Sequence, residues 1–309
     1  MGTPQIQWYP GHIAKAEIAL HEALGKVDLV IEVRDARIPL ATGHPHLGRW
    51  IGSKPHLLVL NRRDMISAAA RQGWDAWFRA RGQTPWWCDA KAGTGVKQLQ
   101  QAAIRAGEAL NARRSGRGMK PRPVRALMLG FPNVGKSALI NRLVRQKVVE
   151  SARKAGVTRS LRWVRLGQEL DLLDAPGVLP PRLDDQQAAL RLALCDDIGQ
   201  AAYDTEAVAL AFLRLLSALE TQPASGVAPG VLVRRYGVPL EAPAALQPQG
   251  LSQTTGRRAP DVSGPDPEAW LAAAAATHTS GDGPRMAQRL LDDYRRSLLG
   301  PVSLELPPG

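Results

Sequence analysis

The sequence predicts an α/β fold: a mainly parallel β-sheet with helices on both faces, followed by a small all-α region. Three observations support this prediction. Short β-branched runs alternate with longer helical patterns over the first 183 residues, as expected for parallel strands joined by helices. A glycine-rich string, Gly130 to Ser137, separates one such strand from a helix. No strand pattern follows residue 183.

The elements of the first region follow from local composition. Residues 13–24 have the apolar spacing of an amphipathic helix, and 27–33 form a β-branched run that predicts a strand. Residues 161–173 predict a hairpin that turns at Gly167-Gln168. The basic stretch 111–123, which contains Gly and Pro, is interpreted as a connector. The other predicted elements are strands at 56–60, 85–88 and 124–129, and helices at 68–80, 96–110 and 136–144.

The remainder of the chain is predicted to be helical. Residues 243–267 are rich in Pro, Gln, Gly and Ser, which predicts a mobile loop. We therefore predict an α/β domain over 1–183 and a helical domain over 184–309. The predicted helices of the second domain are 184–195, 205–219, 268–276 and 285–298.

Composition narrows the possible partners. The 309 residues include 40 Lys and Arg against 28 Asp and Glu, a net charge of +12 that favours nucleic acid as a partner. Cys88 and Cys195 are far apart and lack a C-x-x-C partner, so we expect neither a disulfide framework nor a zinc site, and a reducing cytoplasm suits them. No apolar run has the length of a membrane span, so no membrane partner is expected. The eight tryptophans are interpreted as core or helix-packing residues rather than as a base-stacking platform.

The string from Gly130 to Ser137 fits the phosphate-binding pattern G-x-x-x-x-G-K-[ST]. Its glycines let successive backbone N–H groups surround phosphates, Lys136 reaches the β and γ oxygens, and the Ser137 hydroxyl binds Mg²⁺. The alternative is an ordinary glycine-rich turn before a helix. The expected nucleotide contacts of this loop are Gly130, Pro132, Asn133, Val134, Gly135, Lys136, Ser137 and Ala138.

Two further segments complete a phosphate-sensing site. Asp174 to Gly177 fits D-x-x-G, in which Asp174 holds Mg²⁺ through water and the Gly177 N–H senses the γ-phosphate. Thr158 is the candidate switch threonine that closes on Mg²⁺ and the γ-phosphate. The alternative interpretation of Thr158 is a plain loop residue.

A guanine-reading tetrad, Asn61 to Asp64, ends a predicted strand. The Asp64 carboxylate can accept from the N1–H and 2-amino groups that adenine lacks, and Asn61 can bond the N7/O6 side. Arg62 replaces the usual Lys of N-K-x-D, and its stem can cover the face of the base. Asp89, Ala90 and Lys91 stand at the S-A-K position, with Asp in place of Ser, where a backbone N–H meets O6.

The order of these motifs is the reverse of the usual one. In an ordinary GTPase the phosphate loop precedes the base-reading tetrad, whereas here Asn61 precedes Gly130. The reversal predicts a circularly permuted P-loop G-domain that binds GTP and GDP.

Several segments resemble the ribosome biogenesis GTPase A family in both composition and order, and the likeness covers nearly the whole chain. It implies a GTPase that binds ribosomal RNA and assists late maturation of the large ribosomal subunit. The segments are WYPGHIAKA at 8–16, DARIP at 35–39, NRRD at 61–64, DAK at 89–91, GFPNVGKS at 130–137, GVT at 156–158 and DAPG at 174–177.

The position that often carries a water-orienting Gln, just after D-x-x-G, is Val178. His12 is the candidate replacement, because imidazole can orient water near neutral pH and the family's P-G-H segment is implicated in hydrolysis. The alternatives for His12 are helix capping and RNA contact. Asn133 is similar to the Asn of potassium-activated GTPases, which predicts K⁺ there; the alternative is an ordinary loop Asn.

The sequence thus predicts a cytoplasmic GTP hydrolase, monomeric off the ribosome, whose catalytic groups are His12, Lys136, Thr158 and Gly177. The first alternative is a nucleotide-gated RNA-binding assembly factor with little turnover. The second is a phosphate-loop ATPase or kinase, against which Asp64 argues.

Overall fold

The structure is a computed structural model that describes residues 6, 13–146, 149, 161–177, 185–240 and 266–309. Its centre is a six-stranded sheet in the order β3-β2-β1-β4-β6-β5, in which β5 alone runs antiparallel to its neighbour. The predicted α/β class with a mainly parallel sheet is therefore confirmed. The strands are β1 Leu29–Asp35, β2 His56–Asn61, β3 Pro85–Trp87, β4 Val124–Gly130, β5 Arg162–Leu166 and β6 Leu170–Asp174.

Helices cover both faces of this sheet and make up the C-terminal part of the described chain. In chain order they are α1 Ile13–Gly25, α2 Leu47–Ile51, α3 Ala68–Arg79, α4 Val96–Ala106, α5 Glu108–Ser115, α6 Lys136–Val144, α7 Gln186–Cys195, α8 Thr205–Glu220, α9 Val231–Tyr236, α10 Pro267–His278 and α11 Gly283–Arg295. None of the helices in the described ranges combines the length and apolar character needed to cross a bilayer.

The two faces of the sheet bury different sets of side chains because successive residues of a strand point in opposite directions. On one face, Leu127 of β4 packs with Leu20 of α1 and Leu47 of α2. On the other, Met128 belongs to a large buried cluster shared with α4, α6 and the C-terminal helices, which include Leu290. The helices thereby fix the strands whose carboxyl ends carry the motifs.

The sheet consists of two halves that are each continuous in sequence. Strands β1 to β3 carry the guanine-reading segments, and β4 to β6 carry the phosphate-binding segments. The halves meet where β1 pairs in parallel with β4, from Leu29 opposite Ala126 to Val33 opposite Gly130. Because parallel strands end at one edge of a sheet, the tetrad and the phosphate loop open on the same side.

The last residues of the chain return to the guanine-reading half. Glu305 is buried, and its carboxylate accepts hydrogen bonds from the backbone N–H groups of Leu40 (2.7 Å) and Ala41 (3.1 Å). The backbone N–H groups of Leu304 and Glu305 both donate to the Arg37 carbonyl, and the Trp74 indole donates to the Glu305 carbonyl. This C-terminal segment therefore fixes the loop that follows β1.

Most sequence-predicted elements are confirmed, with some corrections. The helix predicted at 96–110 is two helices, and α5 extends into the stretch predicted as a connector. The break lies at Gly107, where an added Cβ would stand 1.9 Å from a Val124 methyl carbon. The short helices α2 and α9 were not predicted, and the last predicted helix ends at Arg295 instead of 298.

The predicted mobile loop at 243–267 falls mainly outside the described residues. Its last two residues belong instead to the start of α10, since Asp266 caps that helix by accepting from the Ala269 N–H and Pro267 opens it. The division of the chain into domains at 183/184 stays a prediction.

Candidate nucleotide-binding site

The phosphate loop joins the end of β4 to the first turn of α6. Both predicted glycines are required by close approach: a Cβ on Gly130 would lie 2.2 Å from the Val33 carbonyl oxygen, and one on Gly135 would lie 2.2 Å from the Asn61 side-chain nitrogen. Ser137 and Ala138 lie in the first turn of α6 and are half-buried. The strand–loop–helix context that the motif needs is present.

Lys136 is buried and bonded to its own loop. Its Nζ donates to the carbonyl oxygens of Gly130 (3.2 Å) and Phe131 (2.8 Å). Burial lowers the pKa of Lys136 to about 8, although the carboxylates of Asp174 and Asp197 oppose that shift. When a nucleotide binds, a phosphate oxygen would take the place of these carbonyls as the partner of the Lys136 ammonium group.

Asp174 ends β6 at the same edge of the sheet. Its side chain is 1% exposed, and Oδ1 has no hydrogen-bond partner among the described residues. Burial raises the pKa of Asp174 to about 6 against the opposing effects of Lys136 and Arg162. A buried carboxylate oxygen without a partner fits a Mg²⁺ ion or one of its waters, since hard cations prefer such oxygens.

Gly177 lies against the phosphate loop. A Cβ on Gly177 would stand 2.6 Å from the backbone nitrogen of Pro132, so the chain passes where a side chain does not fit. The structure thereby brings D-x-x-G beside the loop. His12, Thr158 and Val178, predicted in the same site or near it, lie outside the described residues.

Asn61 connects three of the predicted segments. It is 2% exposed, its Nδ2 donates to the Val134 carbonyl (2.9 Å), and its Oδ1 accepts from the Ala90 N–H (3.2 Å). The tetrad, the phosphate loop and the D-A-K segment are therefore joined through one side chain. Sequence reasoning assigned Asn61 to the base and missed this bridging role.

Asp89 makes the loop hydrogen bonds that are expected of a serine at this position. Its Oδ1 accepts from the backbone N–H groups of Lys91 (2.7 Å) and Ala92 (3.0 Å), and its own N–H donates to the Thr94 carbonyl. A serine hydroxyl in an S-A-K loop makes bonds of the same kind. The loop is thus closed although the residue differs, and the exposed Lys91 follows it.

Asp64 lies in a single 3₁₀ turn over Arg63–Met65 and is exposed. Burial, followed by the nearby Asp89 carboxylate, raises the pKa of Asp64. Both effects disfavour the charged carboxylate in the absence of a partner. Hydrogen bonds from guanine N1–H and the 2-amino group would stabilise that charge.

Arg62 adopts a left-handed backbone conformation, with φ of 62°. Its guanidinium donates to the Asp35 carboxylate (2.7 Å) and to the Asn133 carbonyl in the phosphate loop. The predicted role of its stem in covering the base stays a prediction. The observed contacts tie the tetrad to both β1 and the phosphate loop.

A buried ionic cluster beside this site was missed by sequence reasoning. Arg37 is 1% exposed and donates twice to the Asp35 carboxylate (3.0 and 2.7 Å) and once to the Cys195 carbonyl (3.1 Å). Although burial opposes it, Arg37 and Arg62 hold the pKa of Asp35 below its usual value. No separate role was predicted for Asp35 or Arg37 from the sequence.

The corner after α7 brings the C-terminal helices to the phosphate loop. The Asn133 side-chain nitrogen donates to the Asp196 carbonyl (2.7 Å), and an Asp197 oxygen lies 3.7 Å from an Arg62 nitrogen. Asp197 is fully buried and neither of its carboxylate oxygens has a hydrogen-bond partner in the described part of the chain. Burial, and then the Asp35 carboxylate, raises the pKa of Asp197 to about 8.

The side-chain ligand atoms of Asp35, Cys195 and Asp197 lie within 4.8 Å of one another, the spacing of a metal site. Because two guanidiniums already bind Asp35, we assign this group to ion pairing rather than to a metal.

Comparison with known proteins gives the same picture. A family model described as 50S ribosome-binding GTPase matches residues 125–214. That stretch begins at the phosphate-loop strand and leaves out the guanine-reading strands, as a permuted order requires.

Similar proteins extend over most of the chain. Ribosome biogenesis GTPase A of Bacillus cereus is 38% identical over 211 residues, which cover 68% of this chain and 71% of the relative. The protein of that name from Bacillus pumilus is 36% identical over 211 residues, covering 68% and 75%. The crystal structure of GNP-bound YlqF from T. maritima covers 95% of this chain and 98% of its own, with a TM-score of 0.59 at 20% identity, and therefore supports the fold.

Proposed function

The chain belongs to the ribosome biogenesis GTPase A family, and from this premise we propose that it is a GTP-hydrolysing assembly factor that binds ribosomal RNA and promotes late maturation of the large ribosomal subunit. One observation carries the nucleotide assignment: Asn61 bonds both Val134 and Ala90, so the base-reading corner and the phosphate loop form one connected surface. A basic chain of net charge +12 supports the RNA assignment.

In the proposed complex, guanine lies between Asn61, Asp64 and the Ala90 N–H, and the phosphates lie in the loop that ends at Lys136. Asp64 supplies base selectivity because its carboxylate pairs with two donors that adenine does not offer. Lys136 exchanges its two carbonyl partners for phosphate oxygens, which keeps its buried charge paired.

Ser137, Asp174 and Thr158 are the proposed holders of Mg²⁺, with Asp174 acting through water. The partnerless Oδ1 of Asp174 supports this assignment. When bound, Mg²⁺ supplies positive charge next to the β and γ oxygens. Asp174 must be ionised for this role, and its raised pKa of about 6 makes it ready for a cation near neutral pH.

Two further roles complete the proposed hydrolysis. His12 orients the attacking water, since Val178 lacks a polar group, and Asn133 holds K⁺. The Asn133 side-chain nitrogen donates to the Asp196 carbonyl, which fixes this residue in the phosphate loop. These roles predict that His12→Ala binds GTP as the wild type does and turns it over more slowly; unchanged turnover with ribosomal subunits would remove His12 from the mechanism.

The proposed signal runs from the phosphate loop into the C-terminal helices. Gly177 lies against Pro132, and Asn133 contacts the Asp196 corner after α7. A change at the γ-phosphate therefore has two routes to the helices that we propose grip RNA. Hydrolysis would then release the particle.

The test is GTP turnover by the full chain with and without purified large ribosomal subunits, in K⁺ buffer and in matched Na⁺ buffer. We expect stimulation by the subunits and a higher rate in K⁺. Tight GTP binding without stimulation would instead indicate a nucleotide-gated RNA-binding factor, and preference for ATP would indicate another phosphate-loop enzyme. We place this activity in the cytoplasm, as a monomer off the ribosome, where the buried free thiols of Cys88 and Cys195 remain reduced.

A further inference from the structure

Edge strand β5 presents an aromatic and a cationic side chain on the same outer face. Trp163 and Arg165 are two residues apart, and both are exposed, whereas Val164 between them is buried. Trp163 is 43% exposed, in contrast to the buried Trp74 and Trp270. An exposed aromatic ring next to cationic side chains offers a face on which a base can stack.

Arg125 of β4 completes this outer face. Its guanidinium carbon lies 5.7 Å from the centroid of the Trp163 ring. Asp171 of β6 stands between the strands, in register with both Arg125 and Arg165, yet neither guanidinium forms an ion pair within the part of the chain that the structure describes. The face therefore keeps an excess of positive charge.

The basic connector lies beside Arg125, at the end of the sheet away from the phosphate loop. Arg122 pairs with Asp28, which also accepts from the Arg125 N–H, and the Arg122 carbonyl accepts from Asn111 on α5. These bonds fix the connector next to the start of β4. Its exposed cations are Arg113, Arg117 and Lys120.

We propose that Trp163, flanked by Arg125 and Arg165, forms a stacking site for an unpaired base of single-stranded RNA, with the neighbouring cations holding the adjoining phosphates. The inference rests on the proposed function and adds an RNA contact on the sheet to the one proposed for the C-terminal helices. An aromatic ring with cationic flanks binds bases of any identity, because every base has a π-face and every nucleotide a phosphate. The positive excess favours RNA over an acid-poor peptide segment.

The site also lies close to the nucleotide. Strand β5 begins a few residues after Thr158, and its first residue, Arg162, is in register with Asp174. A base held on Trp163 would thus restrain the strand that leads out of the switch segment. This position provides a route by which RNA contact accelerates hydrolysis.

The probe is a fluorescein-labelled single-stranded RNA of about twelve nucleotides, within the usual range of site sizes for single-strand binding. Its binding is measured by fluorescence anisotropy over a range of salt concentrations. Trp163→Ala should weaken binding about tenfold without changing the salt slope, because stacking releases no counterions. Trp163→Phe should retain most of the affinity. Arg165→Gln should lower the slope by about 0.7, the value for one phosphate contact on a single strand.

The matched control is a second Trp–Arg pair beside the opposite edge of the sheet, formed by Trp77 of α3 and Arg81 just after that helix, with the guanidinium 3.6 Å from the ring centroid. Arg81→Gln should leave RNA binding and its salt slope unchanged. GDP affinity, measured in parallel, should be the same in all of these variants, since a loss of structure would lower it.

Three outcomes would overturn the inference. Binding of RNA by Trp163→Ala with the wild-type affinity would contradict it. Weaker binding to intact large subunits with unchanged binding to RNA would assign Trp163 to a protein partner. Lower GDP affinity in Trp163→Ala would indicate a structural role. Failure of the wild-type chain to bind either RNA or subunits would instead overturn the proposed function itself.

Discussion

The two halves of the sheet differ in how completely their polar groups are paired. In the guanine-reading half, Asn61 is bonded at both ends of its amide and Asp89 accepts two backbone N–H groups. In the phosphate-binding half, Lys136 donates to two loop carbonyls, and one Asp174 oxygen has no hydrogen-bond partner among the described residues. One half is therefore held together by its own side chains, and the other contains desolvated charges that phosphates and a cation would pair.

This difference assigns separate tasks to the halves. A base-reading corner that is already bonded contributes the same affinity to GTP and GDP, because both carry the same base. Unpaired charges around the phosphates respond to the number of phosphates present. We therefore assign state sensing to the phosphate half. Substitutions at Lys136, Asn61, Asp197 and Asp89 probe how the polar groups of the site are paired, starting with the largest expected effect.

Lys136→Met should reduce kcat/KM for GTP by about 10³-fold, the cost of removing a principal donor to developing charge. The thermal midpoint Tm of the nucleotide-free variant should be unchanged or higher. The sign follows from the lowered pKa: the folded state disfavours the charged lysine, so its removal relieves a desolvation cost at pH 7. Steady-state turnover and calorimetry provide the two measurements. A large fall in Tm would show that the buried charge of Lys136 stabilises the folded chain, contrary to this prediction.

Asn61→Ala should lower the affinities for GTP and GDP together, each by about tenfold or more, because the Val134 carbonyl and the Ala90 N–H lose their buried partner. The ratio of the two affinities should stay at the wild-type value. Equilibrium titration with labelled nucleotides measures both constants.

Asn141→Ala is the matched control, since Asn141 also bonds a backbone N–H and a carbonyl, both of Val149, at the far end of α6. It should cost stability without a comparable loss of GDP affinity. A selective loss of GTP affinity in Asn61→Ala would place state sensing in the guanine-reading half and break the comparison.

Asp197→Asn should raise Tm by a few degrees at neutral and alkaline pH. A carboxyl whose pKa is about 8 in the folded chain and 3.8 when unfolded contributes stability that is present below pH 3.8 and lost as the pH rises through about 8. Asn lacks this titration, so the gap between the variant and the wild type should widen up to about pH 8 and then level off. A gap independent of pH would show that Asp197 is ionised in the folded chain throughout.

The smallest expected effect concerns Asp89. Asp89→Ser should keep the loop closed and bind GDP nearly as well as the wild type, whereas Asp89→Ala should lose about 1 kcal/mol, the usual cost of removing such a cap. Asp64 must be ionised to bind guanine, and the Asp89 carboxylate helps to raise its pKa. Asp89→Ser should therefore bind GDP down to a lower pH than the wild type does, as a pH series of titrations would show. Identical pH profiles would remove the Asp89–Asp64 interaction from the site.

Elements set by local sequence were predictable. The hairpin at Gly167 and the helix that starts at Lys136 have the predicted positions, because glycine positions and β-branched runs determine them over a few residues. The short α2 was missed since five residues carry too little periodicity to identify a helix.

The site shows the same division. Its motif residues were found from spacing, and Asn61, Asp64, Asp89 and Lys136 do meet at one edge of the sheet. The contact of Arg37 with the Cys195 carbonyl was not foreseeable, since it joins residues 158 positions apart. The Glu305 carboxylate that binds the backbone at Leu40 was missed for the same reason, because no local pattern reports a bond across 265 positions.

The seam between β1 and β4 has a consequence for synthesis of the chain. The amino-terminal strands β1, β2 and β3 leave the translating ribosome before any part of the strand that borders them at the seam. One edge of β1 stays unpaired until about ninety further residues have been translated. Because pairing with β4 closes this long loop, it is a late step of folding. In the proposed complex a guanine nucleotide contacts both sides of the seam, and it would thus stabilise the pairing of β1 with β4 in the newly made chain.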